Sequence, residues 1–146
     1  MTEFNNDDRQ YISLLQGNID RMASNSANAK TWLVTLATAI AALRFSMNAN
    51  SVIWVAVVLV ILFYFLDSYY LSIERKFLVL RLEFVKRCKE GSDAGRAELL
   101  YNFNVAEVKD KRTSLWYAMG AVSTFPFYLV MFLITLAISL WPIIVG

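Results

Sequence analysis

Apolar residues fall into three long blocks along the chain, and polar segments separate these blocks. The first block is TWLVTLATAIAAL, bracketed by Lys30 and Arg44, and the second runs from Val52 to about Leu71. The third covers residues 114–146. A helix needs about 20 apolar residues to cross the hydrocarbon core of a bilayer, and the flanking lysine and arginine can lengthen the first block by snorkelling. The pattern predicts transmembrane helices over residues 29–47, 52–71 and 125–145.

The third block is too long for one upright crossing. Pro126 lacks a backbone donor and clashes with the preceding helical turn, so we expect a kink or break near Thr124. Residues 114–124 are therefore predicted to form an interfacial helix that precedes the third span. Four spans are the alternative, although a second crossing would have only about ten residues, too few for the bilayer. The NANS segment (48–51) is predicted as a tight turn between the first two spans.

Polar segments continue two of these helices beyond the predicted bilayer. In residues 1–28, one helical stripe of apolar side chains is formed by Ile12, Leu15, Ile19 and Met22, which predicts an amphipathic helix continuous with the first span. In residues 72–113, the second span continues as a helix that ends in KRCKEGSDAG, followed by a basic loop with a short helix inside 94–109. The predicted fold is an all-α integral membrane protein whose first two helices extend into the cytoplasm as a packed antiparallel pair.

Composition and charge agree with a membrane location. The chain is 58% hydrophobic and 18% charged, which is more apolar than a soluble domain of 146 residues can bury. Of its 14 lysines and arginines, only Arg44 lies on the side of the membrane that holds the 48–51 turn, and the others lie on the opposite side. Positive residues favour the cytoplasmic side, so the amino terminus and the long loop are predicted inside and the carboxyl terminus outside. No signal peptide is apparent, and we expect a multi-pass membrane protein.

A polar stripe interrupts the second long helix where it leaves the predicted bilayer. Asp67, Tyr70 and Glu74 share one face, and Arg75 follows. The first helix approaches the same boundary with these polar residues: Arg21, Asn25, Asn28 and Lys30. A carboxylate at the edge of the hydrocarbon is costly unless it is paired, so Arg21 or Lys30 is expected to meet Asp67 or Glu74. This seam has three interpretations: an attachment that sets helix register, a latch that can open, or a proton or ion pathway.

Several kinds of chemistry are excluded or unsupported. The chain has no histidine and one cysteine, which excludes disulfides, Cys/His metal sites and imidazole catalysis. Phosphate-binding loops, dinucleotide fingerprints and catalytic dyads are not found. We therefore predict no catalytic residue, no metal and no cofactor. The loop 75–112 is basic but lacks interleaved aromatics, so contact with anionic lipid is favoured over nucleic acid.

Two segments carry a family resemblance. RMASNSANAKTW (21–32) and LDSYYLSIERKF (66–77) resemble blocks of small bacterial membrane proteins of unassigned function, of the type encoded beside anti-phage defence genes. The resemblance implies a membrane effector or partner in a defence system that compromises the inner membrane when infection is sensed. It transfers no ligand-binding or catalytic residue.

Two functions are predicted from these features. The first is a non-enzymatic membrane effector that perturbs or permeabilises the bilayer in response to a cytoplasmic signal. Three helices cannot enclose a conducting path alone, so this effector is expected to be a homo-oligomer. The alternative is a membrane-anchored structural subunit that holds a soluble cytoplasmic partner protein.

Overall fold

The structure is a computed structural model that describes residues 4–47, 50–91 and 93–145. Helices account for 85% of this part of the chain, and it contains no strand, which confirms the all-helical class. Five α-helices are present: α1 (Asn6–Met47), α2 (Ile53–Glu90), α3 (Asp93–Leu99), α4 (Leu115–Met119) and α5 (Phe125–Val145). Of the turn predicted at 48–51, residues 48 and 49 lie outside the described residues, and a 3₁₀ turn covers Asn50–Val52.

Helices α1 and α2 form a long antiparallel hairpin. With a rise of about 1.5 Å per residue, they are about 63 Å and 57 Å long. Two contacts show that the pairing is antiparallel. Tyr11 contacts Phe84 near one end of the hairpin, and Leu33 shares a buried cluster with Val60 further along. The predicted packed pair is therefore present. We call residues 6–28 and 72–108 the polar half, and residues 31–47, 53–66 and α5 the apolar half.

Helix α2 ends inside the predicted KRCKEGSDAG segment, where Gly91 terminates it. Gly91 adopts a left-handed conformation with φ of 69°, and its N–H donates to the carbonyl of Cys88. Such a conformation is strained for residues with a Cβ, which explains why glycine occupies the position. The chain can therefore reverse at Gly91 and return toward α1.

The returning segment covers a hydrophobic cluster in the polar half. This head cluster consists of Tyr11, Leu15, Ile19, Phe77, Leu80, Phe84 and Cys88. Leu99, Leu100, Val105 and Val108 pack against it from the returning segment. The Tyr11 hydroxyl donates to the carbonyl of Asn102 at 2.5 Å, and Arg96 pairs with the buried carboxylate of Asp8 at 3.5 Å. Folding of this segment thus closes the polar half over α1.

The short helix predicted within 94–109 is shorter than expected. It ends at Leu99, and Tyr101 follows with φ of 61°. Beyond it, the Asn102 side chain accepts the N–H of Asn104 at 2.8 Å, and the Asn104 side chain accepts the N–H of Ala106 at 3.2 Å. Asparagine side chains that bind nearby backbone groups favour turns over helix. This local competition ends the helix.

After a 3₁₀ turn at Lys111–Thr113, the chain runs back along α2 to α5. The Tyr64 hydroxyl donates to the carbonyl of Met119 at 3.0 Å, which fixes the end of α4 against α2. Pro126 lies in the first turn of α5, where a missing N–H is tolerated. The interfacial helix expected over 114–124 is shorter than predicted, because α4 ends at Met119. The helix break between Met119 and Phe125 lies directly before Pro126.

Among the described residues, α2 alone is both long and apolar enough to cross a membrane. Within α5, Phe125–Trp141 forms a shorter apolar helix, and α1 does not meet both conditions. The predicted count of three spans therefore stays a prediction.

Candidate functional site

A buried ion pair joins α1 and α2 where the apolar half ends. The carboxylate of Asp67 is fully buried, although it directly follows the apolar run of α2. Its Oδ2 atom lies 2.6 Å from Nζ of Lys30, whose side chain is 24% exposed. A buried carboxylate without a partner is strongly unfavourable, so this pair sets the relative position of the two helices.

Ser26 completes the arrangement. Its hydroxyl donates to Oδ1 of Asp67 and accepts a hydrogen bond from Nζ of Lys30 at 3.2 Å. Each carboxylate oxygen of Asp67 therefore has a partner on α1. We call Ser26, Lys30 and Asp67 the clasp.

Helix α5 also reaches the clasp. The ring of Tyr128 packs against Tyr64, with 5.3 Å between the ring centroids. Its hydroxyl is buried next to the Asp67 carboxylate and hydrogen-bonds no group among the described residues. The clasp is therefore in contact with all three long helices.

On α1, the structure brings one predicted seam residue to Asp67 and leaves the others aside. Lys30 forms the ion pair, whereas Arg21 is exposed and donates to the Asn18 side chain on its own helix at 2.9 Å. Asn25 is half-buried and Asn28 is exposed, and within the described residues neither hydrogen-bonds the clasp. From α1, the hydroxyl of Ser26 makes the hydrogen bond to Asp67.

On α2, the predicted residues beyond Asp67 lie along the edge of the hairpin. Tyr70 is half-buried beside Tyr69. Burial raises the pKa of the Glu74 carboxyl above its ordinary value, and Asp67 adds to this rise, whereas Arg75 and Lys30 oppose it. The guanidinium of Arg75 donates to the carbonyl of Arg112 at 3.2 Å and lies 5.2 Å from the centre of the Tyr117 ring. Arg75 thus contacts the segment before α5 and is not part of the clasp.

The sequence contained one signal for the missed serine. Ser26 precedes Lys30 by four residues, so both lie on the same face of α1 and reach the same partner. No comparable signal existed for Tyr128, because it lies 61 positions after Asp67 and only the path of α5 brings them together.

In the clasp, Oδ1 of Asp67 accepts a hydrogen bond from Ser26, whereas Oδ2 contacts Lys30 through the ion pair alone. The Ser26 hydroxyl faces a carboxylate and an ammonium group that are already paired with each other. Across residues 4–47, 50–91 and 93–145, no group of three or more Asp, Glu or Cys side chains converges as metal ligands would. The clasp thus connects α1 to α2, and the prediction that the protein is not an enzyme stays a prediction.

Comparison with protein-family models, with curated proteins and with solved structures found no match to this chain. The resemblance of segments 21–32 and 66–77 to defence-associated membrane proteins stays a prediction.

Proposed function

We propose that the protein is a non-enzymatic effector of the bacterial inner membrane with three spans, residues 29–47, 52–71 and 125–145. Its amino terminus and polar half lie in the cytoplasm, and its carboxyl terminus lies outside. Several copies assemble and perturb or permeabilise the bilayer when the polar half receives a signal. The setting in anti-phage defence is taken from the resemblance of segments 21–32 and 66–77.

The exposure of α2 supports insertion into lipid. Only 28% of its most apolar 18-residue window is buried, whereas the core helix of a soluble protein is mostly buried. Large apolar side chains on α2 and α5 are uncovered, among them Val55, Val58, Leu62, Leu129, Val130 and Leu133. Exposed apolar surface of this extent is stable against lipid tails and unfavourable in water.

The clasp is the observation that carries the effector function. It lies between the head cluster and the apolar half, and its ion pair of 2.6 Å holds α1 to α2 at the predicted membrane boundary. A signal that shifts the two helices in the polar half would strain this pair first. Its opening would let the spans separate or rotate, a shift between two arrangements of the same helices.

Oligomerisation follows from the small number of spans. Three helices enclose no path for ions, and one side of α5 packs on α2 while the other side is exposed through Val130, Leu133 and Ile134. Copies of the protein can cover these faces and line a path between them.

Membrane potential in growing bacteria tests the proposal. Asp67→Asn keeps the size of the side chain but removes the charge that holds Lys30, so we expect constitutive depolarisation, measured with a voltage-sensitive dye. Glu83→Gln is the matched control, because Glu83 is an exposed carboxylate on α2 whose partner Arg87 lies 3.9 Å away. This control should leave the membrane potential unchanged.

Two results would contradict the effector function. One is an unchanged potential with Asp67→Asn when the variant is present in the membrane fraction at the level of the unaltered protein. The other is recovery of the protein in the soluble fraction without detergent. A periplasmic reporter fused after Gly146 checks the orientation and should be active outside the cytoplasm.

The alternative function, a platform for a soluble partner, is favoured by a different surface. Leu14, Leu78 and Leu82 are exposed in the polar half, where lipid does not cover them in the proposed topology. An open groove of about 580 Å³ lies along the start of α1, between Phe4 and Asp20. Stable co-purification of one cytoplasmic protein, lost with Leu82→Ser and without any depolarisation by Asp67→Asn, would establish the platform instead.

A further inference from the structure

A basic crevice lies between α2 and the segment that leads into α4. It has a volume of about 530 Å³. Its polar lining comes mainly from Tyr69, Ser72, Lys76, Lys109, Lys111 and Ser114. The hydroxyl of Ser72 donates to the carbonyl of Thr113 at 2.6 Å, which holds the two walls together. This hydrogen bond fixes the distance between the two walls of the crevice.

The charge of this crevice is not neutralised within the described part of the chain. None of Lys76, Lys109 and Lys111 takes part in an ion pair there. The single carboxylate in the lining, that of Asp110, accepts the backbone N–H of Arg112 at 2.8 Å and caps the 3₁₀ turn. Three ammonium groups and one carboxylate leave a net positive site that suits an anion.

Exposed aromatic side chains identify the level of the crevice in the bilayer. Tyr69 forms one end of the crevice and is 53% exposed. Trp116 and Tyr117 follow the opposite wall and are 78% and 54% exposed. Exposed tyrosine and tryptophan are typical of the headgroup region, because their rings are apolar and their N–H and O–H groups are polar. Lys76 lies about 10 Å beyond Tyr69 along the helix, from where its long side chain can reach back to the lipid headgroups.

We propose that this crevice binds the phosphate of an anionic phospholipid headgroup, with Lys76 on one wall and Lys109 and Lys111 on the other. This inference depends on the membrane insertion proposed above. Lysine binds phosphate as a compact positive charge. A headgroup held between the two walls also attaches the segment before α4 to α2, next to the contact of Arg75 with Arg112. Anionic lipid thereby stabilises the connection between the polar half and α5.

Native mass spectrometry of the full chain in detergent tests the site. The protein is titrated with phosphatidylglycerol and, separately, with phosphatidylcholine, and the ratio of the two dissociation constants is measured. Each lysine near an anionic lipid surface contributes about fivefold in affinity. We therefore expect Lys76→Gln with Lys111→Gln to lower the preference for phosphatidylglycerol about 25-fold.

The matched control removes two lysines from the same helix further from the bilayer. Lys86 lies about 15 Å beyond Lys76 along α2, which exceeds the screening length of about 8 Å at physiological ionic strength. Lys86→Gln with Lys89→Gln should therefore change the preference less than about twofold. Circular dichroism confirms that each variant folds. If the first pair does not fold, Lys111→Gln alone, at an exposed position, should still lower the preference about fivefold.

The outcomes separate this inference from the proposed function. Equal losses in the test and control pairs, or no preference for phosphatidylglycerol in the unaltered protein, would overturn the headgroup site while the protein still inserts into lipid. Displacement of the lipid by glycerol 1-phosphate at an equal concentration would identify a soluble phosphate as the ligand and overturn it too. A protein that stays soluble without detergent would instead contradict the membrane function itself.

Discussion

Two phenylalanines of α2 show how differently the two halves of the molecule are built. Phe84 is fully buried, and its ring meets that of Tyr11 edge-on at 4.8 Å. Phe65, about five turns earlier, is 46% exposed. The returning segment 93–108 covers the polar half, whereas no part of the described chain covers the outer faces of the apolar half. The polar half therefore resembles a small soluble domain, and the apolar half depends on its surroundings for the rest of its packing.

The largest expected effect comes from truncating these two rings. Phe84→Ala leaves a cavity in the head cluster and should lower the free energy of unfolding by about 3–5 kcal/mol. Phe65→Ala removes an exposed ring that faces lipid or detergent in the proposed topology, so its cost should stay below about 1 kcal/mol. Thermal unfolding in detergent, followed by circular dichroism, measures both, and Phe84→Ala should lower the melting temperature by about 10 °C. Equal losses would show that Phe65 is covered, as a second copy of the protein would cover it.

Ion pairs provide the next comparison. Replacing one member of the clasp's ion pair should cost more stability than replacing the other. Lys30→Met leaves the Asp67 carboxylate buried without its cation, which should cost about 3–5 kcal/mol. Asp67→Asn leaves Lys30 free to extend toward solvent, so about 1–2 kcal/mol is expected. The exposed pair of Glu83 and Arg87 provides the control, and Glu83→Gln should cost under about 0.5 kcal/mol.

The double variant Lys30→Met with Asp67→Leu sharpens this result. Replacement of a buried ion pair by apolar side chains is often neutral, so the double variant should recover most of the stability lost in Lys30→Met. A cost for Asp67→Asn that equals that of Lys30→Met would contradict the asymmetry and would indicate that Lys30 cannot reach solvent.

The parts of the fold that were predictable are those with a local cause. The two long helices, the end of α2 near Gly91 and the break before Pro126 follow from apolar periodicity and from the backbone properties of glycine and proline. The path of residues 93–108 does not, because it depends on contacts such as that of Tyr11 with Asn102, which lie 91 positions apart. In the clasp, Lys30 and Asp67 were predictable from the cost of a buried charge, whereas the part of Tyr128 required the position of α5.

The smallest expected effect concerns the reversal that closes the polar half. Gly91→Ala places a Cβ on a residue with φ of 69°, where no atom lies within 4 Å of the new methyl group. The cost is therefore one of backbone conformation alone, about 1 kcal/mol. Gly17→Ala is the matched control, because Gly17 lies inside α1 and also has open space around it.

Gly17→Ala should stabilise the protein by about 0.5–1 kcal/mol, since alanine favours the helix interior. Opposite shifts of the melting temperature for the two variants would show that the left-handed turn at Gly91, and not a general effect of glycine replacement, controls the return of the chain.

The same pair of variants also tests whether the polar half and the apolar half unfold separately. If the head cluster folds as its own unit, labelling of the buried Cys88 thiol should become faster in Gly91→Ala, while exchange of backbone amides in α5 stays unchanged. Faster exchange in both halves would show that the head cluster and the apolar half unfold together, as one unit joined by the clasp.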